Sequence, residues 1–310
     1  MTANPQPIQA TPAPRGGGKL AVERDKPATL LLFLGPAVVL LLVFLVYPVI
    51  YTLRMSVDRG LGGNFSRFVG LDNYASLLRT PSFVHSIENN VLWIIFYVTF
   101  VIILGLIIAV IAMRVSYEAI IKAIVFLPMA IAATALGVIW AFVYAYDSNI
   151  GLLNALLAAI NVGPIAWLGD SSIANSALIA VGVWGSTGFA TVILSAALKG
   201  IPTEIIEAAR TDGANEFQIF WRIILPMVSL PISVLAVTLI VNVIKLFDIP
   251  YVMTNGGPGD STRVIAFELY KQDLSAGQYG KAAAVAVVML VILIPVMIFN
   301  IRRFRSEAVV

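Results

Sequence analysis

Glu207–Pro226, EAARTDGANEFQIFWRIILP, is a polar island between two long apolar segments. It holds five charged residues, Glu207, Arg210, Asp212, Glu216 and Arg222, in a chain that is only 12% charged. The pattern predicts two short helices with a break at Gly213. The first is expected to start at Thr203 as N-cap, after Pro202, with Glu204 in the dipole-favourable first turn. Gly213 suits the left-handed position just past a helix end. Asn215 with Gln218 three residues on has capping-box spacing and restarts the chain. Phe217, Phe220, Trp221 and Ile224 fall at i, i+3, i+4 and i+7, which predicts a single apolar face. A polar double helix between apolar segments is suited to docking outside the bilayer.

Composition sets the surroundings. The 310 residues are 59% hydrophobic, against about 45–50% apolar and about 25% charged for soluble domains. The expectation is an all-α membrane protein. The net charge of +3 is small, and the basic residues flank apolar runs instead of forming a patch. That argues against a nucleic-acid partner. With no cysteine and one histidine, His85, thiolate chemistry, zinc sites and Ser-His or Cys-His catalysis have little to work with. His85 itself reads as a surface loop residue.

Uncharged runs mark the spans. Pro27–Leu53 (27 residues), Asn89–Met113 (25), Ala123–Tyr146 (24), Ser171–Leu198 (28), Ile223–Ile244 (22) and Ala282–Ile301 (20) can each cross a core of roughly 30 Å as helix. The six expected spans are about 29–53, 90–113, 123–146, 172–198, 226–248 and 282–301. The first is too long for a cleaved leader and reads as a retained anchor. Ser148–Gly169 is uncharged too, but only Asp147 separates it from the preceding run. It contains Asn154, Asn161, Gly163 and Pro164, and its strongly apolar part, Ile150–Ile160, has interfacial length. Leu152, Leu153, Leu156, Leu157 and Ile160 form its expected lipid-facing stripe. Residues 1–27, rich in Pro with Gly16–Gly18 and four basic residues, read as a disordered basic tail. Residues 28–310 read as one transmembrane domain.

With the N-terminus inside, the inner segments carry 12 of the 20 Lys and Arg residues and the outer loops carry 7, Lys245 lying in a span. The positive-inside rule therefore predicts that both termini are cytoplasmic, on the same side as 200–226.

Glu207-Ala208-Ala209, Gly213 and Ile223-x-Leu225-Pro226 resemble, at every spacing, the EAA loop of ABC importer permeases. The resemblance implies a type I ABC importer permease fold. It also implies that Glu207, Ala208, Ala209, Gly213, Phe217, Ile223, Leu225 and Pro226 form the coupling loop 200–226, which seats on an ATPase subunit. Phe68-Val-Gly-Leu-Asp-Asn-Tyr74, Thr254–Thr262, Phe247-Asp248 and Tyr279-Gly-Lys-Ala-Ala283 resemble carbohydrate-type permeases of the maltose and glycerol-3-phosphate group. From physics alone, the two turn-rich stretches are simply loops. The resemblance, from about Leu30 to Phe304, implies several partners in a bacterial cell membrane. They are a second permease (by family habit a different chain), two ATPase subunits that hold ATP and magnesium, and an extracytoplasmic sugar-binding protein. The imported solute would be a sugar or polyol.

The chain has no G-x-x-x-x-G-K-[ST] phosphate loop, so no ATPase site and no cofactor of its own are expected. Asn242, Lys245 and Asp248 are polar residues around the fifth span, with Lys245 and Asp248 at i, i+3 and expected on one helix face. Two readings stand open: a polar lining of the solute path, or an ion pair with Lys245 snorkelling at the interface. Trp93, Tyr97, Trp140, Tyr144, Tyr146 and Trp184 fit an interface belt best, with sugar stacking as the rival role. Gly182, Gly185, Gly188 and Ala190 permit close helix approach within the chain or to a partner. An ion-gradient-driven transporter is the alternative. It is disfavoured because Asp248 is nearly alone as a span carboxylate and no half-to-half repeat is evident.

Overall fold

A computed structural model describes residues 27–60, 64–272 and 276–307. The expected tail, all but Pro27, lies outside them. The described residues contain helices and no strand; an isolated antiparallel bridge pairs Asp58 with Phe68. This follows from the apolar runs, because backbone groups in hydrocarbon must be satisfied within the segment.

The chain divides into two units, 1–50 and 51–310. The first carries most of α1 (27–56), in which a π turn at Leu42–Val46 interrupts the regular helix. No described residue from 32 to 50 is buried.

The second unit holds the remaining helices. After α2 (Asp72–Leu78), α3 (Pro81–Ala112) opens with proline in its first turn, where a missing N–H costs nothing. It runs 32 residues through a π turn at Ile94–Val98. Next come α4 (Glu118–Ala130), α5 (Ala133–Val143), the short α6 (Leu152–Ala159) and α7 (Ala174–Lys199). They are followed by α8 (Thr203–Thr211), α9 (Glu216–Met227), α10 (Ser229–Ile244), α11 (Asp248–Thr254), α12 (Ile265–Tyr270) and α13 (Tyr279–Glu307).

Among the described residues, four helices are long and apolar enough to cross a membrane, or up to six crossings if each of two bent pairs is one span. The bent pairs correspond to the third and fifth of the six expected spans. Between α4 and α5 the chain turns by 98°. Pro128 tightens the end of α4 into a 3₁₀ turn, and Ile131 and Ala132 are extended. Between α9 and α10 the bend is 63°, at Val228, just after Pro226. The stretch 148–169 makes only the eight-residue α6. Of its expected lipid stripe, Leu152, Leu156 and Ile160 are exposed, but Leu153 packs on the core.

The core forms where α3 crosses α7. Val101, Ala109, Ala190 and Leu194 are fully buried there. Small residues set the spacing: a Cβ on Gly105 would stand 2.6 Å from the Cβ of Ala190, and one on Gly182 would stand 2.7 Å from the Trp93 ring. Gly185 faces Leu136, and Gly188 faces the backbone of α4. The glycines of the fourth span are therefore spent on packing inside the chain. A second cluster, Leu77, Phe83, Ile265, Ala284 and Val285, joins α2, α3, α12 and α13.

Candidate functional site

The stretch 200–226 folds as two short helices joined at Gly213. The N-cap of α8 is Pro202, one residue earlier than expected, because Pro202 already has extended ψ and Thr203 is helical. At the other end, Gly213 has φ +86°. Its N–H donates to Arg210 O and the Ala214 N–H to Ala209 O, both at 3.0 Å. These are the two bonds of a Schellman motif, which satisfy the last carbonyls of the helix. Asn215 Oδ1 accepts from the Gln218 N–H, and Gln218 Oε1 accepts from the Asn215 N–H, each at 2.9 Å. This reciprocal capping box starts α9 and satisfies two of its backbone donors.

Glu216 ties the two helices together. Arg210 Nε donates to its Oε1 at 2.9 Å, and Arg114, from the turn before α4, lies 3.6 Å from its Oε2. The hydrogen bond to Glu216 holds the Arg210 guanidinium above its usual range.

Of the coupling residues read from sequence, Glu207, Ala208, Gly213, Phe217 and Pro226 are exposed. Ala209 and Ile223 are half-buried, and Leu225 packs inward against the core. The single apolar face expected for α9 is split. A π turn at Phe220–Ile224 widens the helix, so Phe220 and Ile224 pack on the core while Phe217 and Trp221 point outward, 72% and 52% exposed.

A cavity of about 370 Å³ lies between α3, α7, α10 and the break joining α4 to α5. Asn242, Lys245 and Asp248 all line it, with Trp93, Tyr97 and Ser186. Tyr97 Oη donates to Ser186 Oγ at 2.8 Å. Lys245 and Asp248 do not share a helix face, contrary to expectation. The helix α10 stops at Ile244 with Lys245 as its cap, Phe247 leaves helical geometry (φ −138°), and Asp248 begins α11. Among the described residues Lys245 and Asp248 form no ion pair, with each other or with any other group, so that reading is overturned.

The aromatic belt is corrected at three positions. Trp93, Tyr97 and Tyr144 are buried, and Tyr146 and Trp184 are the exposed ones. Trp93 Nε1 donates to Asn175 Oδ1 at 2.9 Å, and Asn175 Nδ2 donates to Asn89 Oδ1 at 3.1 Å. Asn89 in turn donates to the Arg263 carbonyl at 2.8 Å. Asn90 donates to Val243 O at 3.0 Å and accepts from the Ile265 N–H at 2.8 Å. These amides pin the 254–264 loop and α10 to α3 and α7. Sequence reading passed over them, although three asparagines inside apolar helices are a visible signal, since buried amides need partners. His85 sits on α3, not in a loop, 2.9 Å from Glu88 and exposed to solvent.

The turn-rich stretches are joints. Asn73 Nδ2 donates to the carbonyls of Ser56 and Asp58 at 2.9 and 2.8 Å. The Asp58 carboxylate accepts the N–H groups of Ser66, Gly60 and Arg67. Those bonds, led by Ser66, hold its carboxyl below the usual range despite desolvation. A Cβ on Gly280 would stand 2.1 Å from Asp58 O, so only glycine lets α13 begin there.

Residues 101–302 match the family described as "Binding-protein-dependent transport system inner membrane component". The chain belongs to this family: it is a multi-pass membrane permease of an ABC importer. It is 44% identical over 280 residues to the osmoprotective compounds uptake permease protein of Synechocystis sp., covering 89% of this chain and 99% of that protein. It is 41% identical over 282 residues to the alpha-glucoside transport system permease protein of Rhizobium meliloti, covering 89% and 82%. Its fold is similar to that of a bacterial ABC transporter involved in the import of the acidic polysaccharide alginate. That likeness has a TM-score of 0.77 at 22% identity and covers 89% of this chain and 95% of that one.

Proposed function

We propose that this chain is the gating half of a sugar or polyol importer, moved by a separate ATPase that grips the loop 200–226. One observation carries the reading. The polar insertion 200–226 between spans is folded as a capped double helix with Glu207, Ala208, Gly213, Phe217 and Trp221 turned outward. An outward Phe–Trp pair beside an acidic residue is unfavourable in water and is suited to a groove on another subunit. Glu207, Ala208, Ala209, Gly213, Phe217, Ile223, Leu225 and Pro226 carry the coupling, the last three by setting the bend into α10.

The chain works with a second, different permease, two ATPase subunits carrying ATP and magnesium, and an extracytoplasmic sugar-binding protein. Both termini are cytoplasmic. Binding of ATP draws the two coupling loops together and re-aims the spans around a central path. Asn242, Lys245 and Asp248 line that path. Together they offer amide, ammonium and carboxylate groups to a hydroxyl-rich solute, with Trp93 and Tyr97 alongside. The alpha-glucosides in one relative's name support a sugar or related polyol as cargo.

The decisive experiment is uptake of radiolabelled glucosides into reconstituted vesicles holding the purified assembly, with the binding protein outside and ATP enclosed. Uptake is expected to require ATP and to survive an uncoupler. Uptake that collapses with the ion gradient and ignores ATP would return the ion-driven alternative.

A further inference from the structure

The helix α4 has contacts at both ends that the coupling reading does not use. At its start, the Glu118 carboxylate takes Lys199 Nζ at 2.9 Å and is also paired with Lys122. Lys199 is the last residue of α7, at the threshold of the coupling loop. Glu118 Oε1 is itself shut off from solvent and makes no well-formed hydrogen bond, so its partners are the two ammonium groups. Four residues earlier, Arg114 reaches Glu216 on the second coupling helix. The segment 114–118 therefore touches both the start of the coupling loop and its second half.

The far end of the same helix lies at the cavity. Pro128 and Met129 line it together with Asn242, Lys245 and Asp248. Beyond them the chain turns by 98° into α5. Midway, α4 rests directly on α7: a Cβ on Gly188 would stand 2.3 Å from Val125 O. A helix of 13 residues is about 20 Å long. Its hydrogen bonds are internal, so a push at one end arrives at the other.

We infer that α4 is a transmission rod between the coupling loop and the solute cavity, with Glu118 as the positioning residue that fastens it to Lys199. This rests on the reading of 200–226 as the coupling loop. Ionic joints suit such a fastening. They hold direction at a boundary where the apolar surfaces of two helices can slide, and the partly enclosed Glu118 is screened less than a surface pair. The 98° break makes the rod independent of α5, so displacement ends at Pro128 and Met129 instead of spreading along an unbroken span.

The test compares Glu118→Gln and Glu118→Asp in the intact assembly in proteoliposomes, with import and ATP hydrolysis measured separately. Glu118→Gln is expected to keep hydrolysis within about twofold while import per ATP falls roughly threefold or more. Glu118→Asp, which keeps the charge, is expected to restore most of the ratio. An unchanged ratio in Glu118→Gln overturns the inference. Because the chain has no cysteine, a second measurement avoids dependence on one variant. Glu118→Cys/Lys199→Cys joined by a short bis-maleimide is expected to import at near the uncrosslinked wild-type rate, since the two ends travel together. Loss of import on cross-linking overturns the inference. A wild-type assembly that imports without ATP instead refutes the coupling reading, and is told apart by needing no variant.

Discussion

Gly188 of α7 lies directly against the carbonyl oxygen of Val125 in α4: a Cβ there would stand 2.3 Å from that oxygen and 2.7 Å from the Phe126 Cα. Both neighbours are backbone and cannot swing aside. Gly188→Ala must therefore part the two helices, at an overpacking cost of about 1–3 kcal/mol. A lowered melting temperature of the detergent-solubilised protein is the expected result. Gly163→Ala, with open space around it, is the control expected to melt like wild type.

Gly213 presents the reverse case. Nothing lies within 4 Å of where its Cβ would be, so only its φ of +86° constrains it. Asparagine tolerates that region, and Gly213→Asn is expected to retain most uptake. Gly213→Pro loses the N–H that bonds to Arg210 O and cannot reach positive φ. It is expected to abolish uptake while the protein remains in the membrane. Glu207→Lys is expected to do the same by reversing charge on the outward face. Immunoblots of membranes alongside uptake assays separate lost coupling from lost protein; full uptake in both variants would remove the coupling role.

Lys245 and Asp248 share a cavity without sharing a salt bridge. Lys245→Met and Asp248→Asn should each raise the concentration for half-maximal uptake. Their combined effect is expected to add within about 0.5 kcal/mol. A double variant better than either single one would reveal an ion pair and contradict the geometry.

Asp58 makes the outer joint sensitive to acid. Its folded-state pKa is below the ordinary value because three backbone N–H groups bond its carboxylate. The stability this contributes is complete above the unfolded value of about 3.9 and is lost as pH falls through the lower, folded value. Melting temperature should therefore drop on acidification below about pH 4. Asp58→Asn should be less stable near neutrality and flatter across that window. A wild-type profile matching that of the variant would show that those bonds do not matter.

Much of the fold is legible along the chain because hydrocarbon leaves few choices. Long uncharged runs announced helices, and Asn154 and Pro164 correctly demoted 148–169. Local rules also worked at Gly213 and Asn215, where capping depends only on neighbours in sequence. They failed wherever distant chain decided the outcome. The α9 face split because a π turn let Phe220 and Ile224 reach the core. Trp93 left the expected belt because Asn175, 82 positions away, takes its N–H.

The order of residues by itself determined that this chain lies in a membrane, which segments are helical, and that 200–226 is a capped double helix. Those properties rest on transfer free energy and on hydrogen bonds between near neighbours. Tertiary structure alone decided that Asn242, Lys245 and Asp248 meet Trp93 and Tyr97 at one cavity, and that Glu118 of α4 pairs with Lys199 at the end of α7. Each of those depends on contacts between residues far apart along the chain, and no periodicity within a single segment encodes them.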